Sequence, residues 1–141
     1  MSKMHRFKIP SNPEKIVDVD AFAEKRIDRM KFTRDQRDDI AISISEAVNN
    51  AIVHGNRGDP SKSVRIELEE LDDGIRIRVR DQGMGFDPSQ VADPRDPENL
   101  LVESGRGLLI IHHLMDEVHV IPEKGGTLVE MIKRFNNNDD G

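Results

Sequence analysis

The 141-residue chain contains no cysteine, no tryptophan and no tyrosine. Without thiols, disulfides and thiolate metal sites are excluded, and a reducing compartment suits the chain. Long apolar runs are missing as well. Nothing approaches the ~20 residues that a membrane-spanning helix needs, and the opening stretch from Met1 to Pro10 has no apolar core of signal-peptide length. The expectation is a cytoplasmic protein with no membrane partner. Positive charge is also scarce: 21 Lys and Arg stand against 27 Asp and Glu, for a net charge of -6. No basic stripe is evident that would release phosphate counterions, which argues against direct nucleic-acid binding. A protein partner or a small ligand fits better.

What is present reads as one soluble domain. A chain of this length buries roughly two thirds of its unfolded surface in a single core. Hydrophobic residues make up 35%, and the ten glycines raise the apolar share to about 42%, slightly under the usual ~45–50%. Residues 1–135 are expected to form that domain and 136–141 a disordered tail.

Along the chain, Arg6 to Ile9 reads as an edge strand closed by Pro10. Ser11-Asn12-Pro13 opens a helix whose apolar positions Ile16, Val19, Ala23, Ile27 and Met30 recur at helical spacing. Thr33 followed by Gln36 matches a capping box, so a second helix starts near Arg34 and runs until Gly55 and Gly58-Asp59-Pro60 stop it. Val64, Ile66 and Leu68 alternate with polar residues, Asp73-Gly74 supplies turn chemistry, and Ile75, Ile77 and Val79 alternate again, which describes a hairpin with one buried face. Asp87 to Ser104 shows no sustained period and reads as a long surface loop, with a short helix near Pro97 to Val102. Leu108 to Met115 reads as a short helix, and Val118–Ile121 and Thr127–Phe135 as strands joined by Lys124-Gly125-Gly126. This order predicts the α+β class: a two-layer sandwich with helices on one face of a mostly antiparallel mixed sheet.

The second helix carries the most informative pattern. Glu46 and Asn50 sit four residues apart in a stretch otherwise apolar around almost its whole circumference. That spacing puts a carboxylate and an amide on one face, and leaving either buried and unpartnered costs about 1–3 kcal/mol. Something polar must meet them. Two glycine-containing turns, Asp81-Gln82-Gly83-Met84-Gly85-Phe86 and Ser104-Gly105-Arg106-Gly107-Leu108, can supply the remaining walls of a nucleotide pocket. His112 and His113 point to different sides of a helix and are read as structural or surface residues.

Glu46-Ala47-Val48-Asn49-Asn50-Ala51, Asp81 to Phe86, Gly105 to Leu108 and Gly126-Thr127 resemble, in order, the four boxes of the GHKL ATPase superfamily, which includes gyrase, sensor histidine kinases and MutL. Ser45 to Gly55 resembles one branch in particular, the bacterial anti-sigma factor serine kinases, and the likeness runs from about Phe7 to Phe135. The resemblance implies the Bergerat ATP-binding fold, ATP and Mg²⁺ as cofactors, and the following roles. Asn50 supplies the hard oxygen ligand to Mg²⁺. Glu46 orients or deprotonates the nucleophile that attacks the γ-phosphate, water or a protein hydroxyl. Sensor kinases commonly carry Asn at that position, so Glu46 favours a hydroxyl. Asp81 accepts a hydrogen bond from the exocyclic amine of adenine, and Gly83 and Gly85 let the backbone approach the base.

Gly105 and Gly107 are read as preceding the helix from Leu108, whose first amides would bind the triphosphate. Arg106 either contacts phosphate or faces solvent. His54 either reaches phosphate or caps its helix. Thr127 joins the adenine network or is simply a good β former. By the same resemblance, the chain would sequester a sigma factor, phosphorylate a serine on a small STAS-type anti-anti-sigma protein, and form homodimers as the family often does. The Asp87–Ser104 loop would act as a lid over ATP. The alternative is a nucleotide-binding regulatory module that inhibits by occupancy without phosphoryl transfer.

Overall fold

The computed structural model describes residues 3–83 and 103–136, with side chains from Gly107 onward in the second segment. Within them the chain runs β1 (Lys3–Pro10), α1 (Ile16–Ile27), α2 (Arg34–Asn50), β2 (Ser63–Leu71), β3 (Gly74–Arg80), α3 (Glu103–Leu114), β4 (Glu117–Glu123) and β5 (Gly126–Arg134). The strands form one sheet in the order β1-β2-β3-β5-β4. All four pairings are antiparallel, so the sheet is not mixed among the described residues. Each pairing joins neighbours that run in opposite directions, and no parallel crossover arises.

Local sequence accounts for the helix boundaries. Asn12 accepts from the Glu14 amide and Pro13 opens a single 3-10 turn, Pro13–Lys15, ahead of α1. The capping box is complete: Thr33 accepts from the Gln36 amide at 3.1 Å and Gln36 accepts from the Thr33 amide at 3.2 Å. α1 ends at Ile27, one turn earlier than the apolar period through Met30 implies, with Asp28 as its C-cap.

Alternation decides which side of the sheet is covered. Val64, Ile66 and Leu68 of β2, Ile75, Ile77 and Val79 of β3 and Met131 of β5 join Val19, Ala23 and Ile27 of α1 and Ile40, Ile44, Ala47 and Val48 of α2 in one core. Cross-strand register keeps these sheet residues on a common face: Ile66 faces Val79, Leu68 faces Ile77, and Ile77 faces Met131. The helices therefore pack on that face, as the two-layer reading requires. The opposite face is charged. One cross-strand row reads Arg6, Glu67, Arg78, Glu130, and adjacent members pair at 3.2 Å (Arg6–Glu67) and 2.9 Å (Arg78–Glu130).

Among the described residues no helix is long and apolar enough to cross a membrane. The Asp87–Ser104 loop lies outside them except at its last two residues, and so do Gly85 and the expected tail beyond Asn136.

Candidate functional site

α2 delivers Glu46 and Asn50 one turn apart, as their spacing requires, and then changes pitch. Ala51–Gly55 form a π turn, in which the Asn56 amide donates to the Ala51 carbonyl five residues back at 2.8 Å. Such widened turns recur at functional sites because they re-aim side chains that a regular helix would stack. Here the turn brings His54 and Gly55 to the wall of a cavity of about 200 Å³. Asn50, His54, Asp81, Leu108 and Thr127 all line it, together with apolar Val79, Val120 and Val129. Five of the residues singled out from sequence thus meet at one place.

Asp81 follows β3 directly and is held from two sides. Its Oδ1 accepts from the amides of Gly83 and Thr127, each at 3.0 Å, while its own amide donates to the Thr127 carbonyl at 3.0 Å. Burial pushes its carboxyl above the ordinary value, and the two backbone donors pull it partly back.

Glycine is required around it. A Cβ on Gly55 would lie 2.1 Å from Asp81 Oδ2, one on Gly126 would lie 2.1 Å from the Asp81 carbonyl oxygen, and one on Gly83 would lie 2.0 Å from the Gly55 carbonyl oxygen. Gly55 and Gly126 were not among the predicted site residues. A glycine needed for close approach looks the same in sequence as a glycine needed for a turn.

The helix after the loop corrects one expectation. α3 begins at Glu103, five residues before Leu108, so Gly105 and Gly107 lie inside it rather than ahead of it. The amides without helical partners belong to the first turn, which holds Gly105 and Arg106, and the Gly107 amide is not one of them. Two glycines inside a helix cost about 1 kcal/mol each relative to alanine, which is why the sequence reads as a loop there. Gly107 offsets its share by contact: a Cβ on it would lie 3.0 Å from Asn50 Nδ2 and 3.2 Å from Glu46 Oε2. α3 therefore crosses α2 at the two polar residues. The side chain of Arg106 lies outside the described set. His112 and His113 are exposed, as expected.

Asn50 Nδ2 is buried and has no hydrogen-bond partner among the described residues. An amide so placed is built to meet something from outside the protein: Nδ2 donates to a phosphate oxygen, or the group turned over offers Oδ1 to a hard cation. Among the described residues no group of three or more His, Asp or Glu could hold a metal alone. A magnesium ion here would draw most of its coordination from phosphate and water, which is its habit in nucleotide sites. The residues present fit the ion on that basis. A larger cleft of about 690 Å³ runs between α1 and α2, but of the predicted site residues it reaches Glu46 only.

The family of the histidine kinase-like ATPase domain matches residues 9–133. The chain belongs to that family. Relatives include the anti-sigma F factor of Oceanobacillus iheyensis, 40% identical over 77% of this chain and 77% of that protein. The serine-protein kinase RsbW of Bacillus subtilis is 33% identical over 92% of this chain and 84% of that protein. Among solved structures, the RsbU and RsbW domains of a Mycobacterium tuberculosis protein superpose with a TM-score of 0.66 at 21% identity, covering 94% of this chain and 32% of that one. At that identity the likeness speaks for the fold.

Proposed function

We propose that the chain is an ATP-dependent serine protein kinase that also acts as an anti-sigma factor. One observation carries the reading: the half-buried Asp81 carboxylate and Asn50, whose Nδ2 has no partner among the described residues, line the same cavity, and Gly107 lies against both Asn50 and Glu46. An adenine amine donates to Asp81. Guanine has a carbonyl at that position, which the carboxylate repels. Val79, Val120 and Val129 give the base apolar walls, while Gly83, Gly85 and Thr127 complete its surroundings. The phosphates lie toward Asn50, His54 and the first turn of α3, with Gly105 and Arg106. When bound at Asn50, Mg²⁺ supplies charge neutralisation for the phosphate oxygens.

Glu46 accepts the proton of a partner's serine hydroxyl as that oxygen bonds to the γ-phosphorus and the bridging P–O bond to ADP breaks. The serine belongs to a STAS-type anti-anti-sigma protein, and the sigma factor competes with it for a homodimeric, cytoplasmic regulator. The 87–104 segment, whose last two residues open α3, acts as the lid.

The test is phosphoryl transfer from labelled ATP to the anti-anti-sigma partner. Glu46→Ala is expected to lower the rate by about 10²- to 10⁴-fold while ADP affinity is retained. No label on any protein hydroxyl, together with an inert Glu46→Ala substitution, would replace this reading with a nucleotide-binding module that inhibits by occupancy.

A further inference from the structure

Asn56 follows the π turn and is only 1% exposed. Its amide is fully used across three chain segments. Nδ2 donates to Ser11 Oγ, just after β1, at 2.7 Å, and to the Ser63 carbonyl at the start of β2 at 2.9 Å. Oδ1 accepts from the Gln82 amide at 2.7 Å. Gln82 is secured a second time, since its Oε1 accepts from the Ser63 amide at 2.6 Å and from Ser63 Oγ at 3.0 Å. Two donations and one acceptance from a single short side chain are what a carboxamide offers; a carboxylate only accepts.

The placement gives this network a consequence beyond stability. Thr127 fastens Asp81 to the sheet, but nothing in that contact sets how far Asp81 stands from α2. That distance is set where the π turn after α2 ends. Gly55 abuts the Asp81 carboxylate, and its neighbour Asn56 grips the backbone one residue past Asp81. We propose that Asn56 is a positioning residue for base selectivity: through the Gln82 amide it holds the Asp81 carboxylate at the distance from α2 that reads a purine's 6-amino group. The inference rests on the reading of Asp81 as the group that meets adenine.

The test compares calorimetric affinities of the full-length protein for ADP and for IDP, which carries a carbonyl in place of the 6-amino group, in the presence of Mg²⁺. The wild type prefers ADP. In Asn56→Ala that preference falls by about five- to tenfold, the scale of one lost hydrogen bond. Ser11→Ala, which removes an anchor on the far side of Asn56, lowers the thermal midpoint and leaves the preference within twofold. Asn56→Asp keeps the acceptor for Gln82 and loses both donations, so it too lowers the midpoint and keeps the preference; this variant carries the test if Asn56→Ala does not fold.

A selective wild type with an equally selective Asn56→Ala overturns the inference alone, as does a preference that collapses in Asn56→Asp. A wild type indifferent to the base overturns the Asp81 reading and this inference with it.

Discussion

Asp81, proposed to meet the adenine amine, is held at a cost in stability. Burial raises its carboxyl above the ordinary value of 3.8, and the amides of Gly83 and Thr127 recover only part of that cost. A carboxyl whose folded value exceeds its unfolded one contributes stability that is complete below the unfolded value and is lost as pH rises through the folded value. At neutral pH the ligand-free fold therefore carries a desolvated charge. Asp81→Asn keeps an oxygen that can accept from both amides and removes the charge. The variant should melt higher than the wild type near pH 7, with the gap closing as the pH falls toward 4. Its nucleotide affinity should drop by about 1.5–3 kcal/mol, the usual worth of a hydrogen bond to a charged group. Calorimetric melting across pH and ADP titration check the two halves separately. A variant that melts lower and binds ADP normally would contradict both.

At the scale of elements, the same glycine chemistry divides by what each Cβ would strike. A methyl on Gly126 meets the Asp81 backbone at 2.1 Å, with nowhere to go, whereas one on Gly107 meets side-chain atoms of Asn50 and Glu46 at 3.0 and 3.2 Å. Gly107→Ala relieves a helix interior of glycine, worth up to about 1 kcal/mol, so thermal stability should hold or rise while phosphoryl transfer falls. A parallel loss of both would mean that the contact is structural only. The sheet's outer face offers a second case. Beside its alternating rows, Lys8, Arg65 and Arg80 stand opposite one another in register. Like charges so placed are unfavourable and opposite ones contribute about 0.2–1 kcal/mol per pair; Arg65→Glu should stabilise the fold by that order in urea titration.

These elements also mark what the sequence made legible. The capping box at Thr33 and the alternating strands on either side of the turn are local signals and stand as expected, but the turn itself is Asp72-Asp73, with Gly74 already the first residue of β3 and paired with Leu71. The start of α3 was misplaced because Gly105 and Gly107 signal a break locally, while the contact that compensates Gly107 lies on α2. Asn56 carried no signal at all, since its three partners are distant in sequence.

For the whole molecule, the proposed ligand site is divided between two layers. Asp81 hangs from the sheet, and Glu46 and Asn50 hang from α2. A ligand that binds only the folded state stabilises it by RT ln(1 + [L]/Kd), about 2.7 kcal/mol at a hundred times Kd, so thermal shifts report each half in the intact chain. ATP alone should raise the midpoint, and Mg²⁺ should add a further increment that chelation with EDTA removes. Asp81→Asn should reduce the shift with and without metal, because the base contact does not depend on the ion. Asn50→Ala should keep the metal-free shift and lose the increment, because the Asn50 amide, whose Nδ2 has no partner among the described residues, is free to turn its oxygen to the ion. If Asn50→Ala abolished the metal-free shift as well, the amide would be holding phosphate rather than the cation. If neither variant altered either shift, nucleotide would be binding elsewhere, and the convergence of α2 with the Asp81 turn would have to serve another ligand.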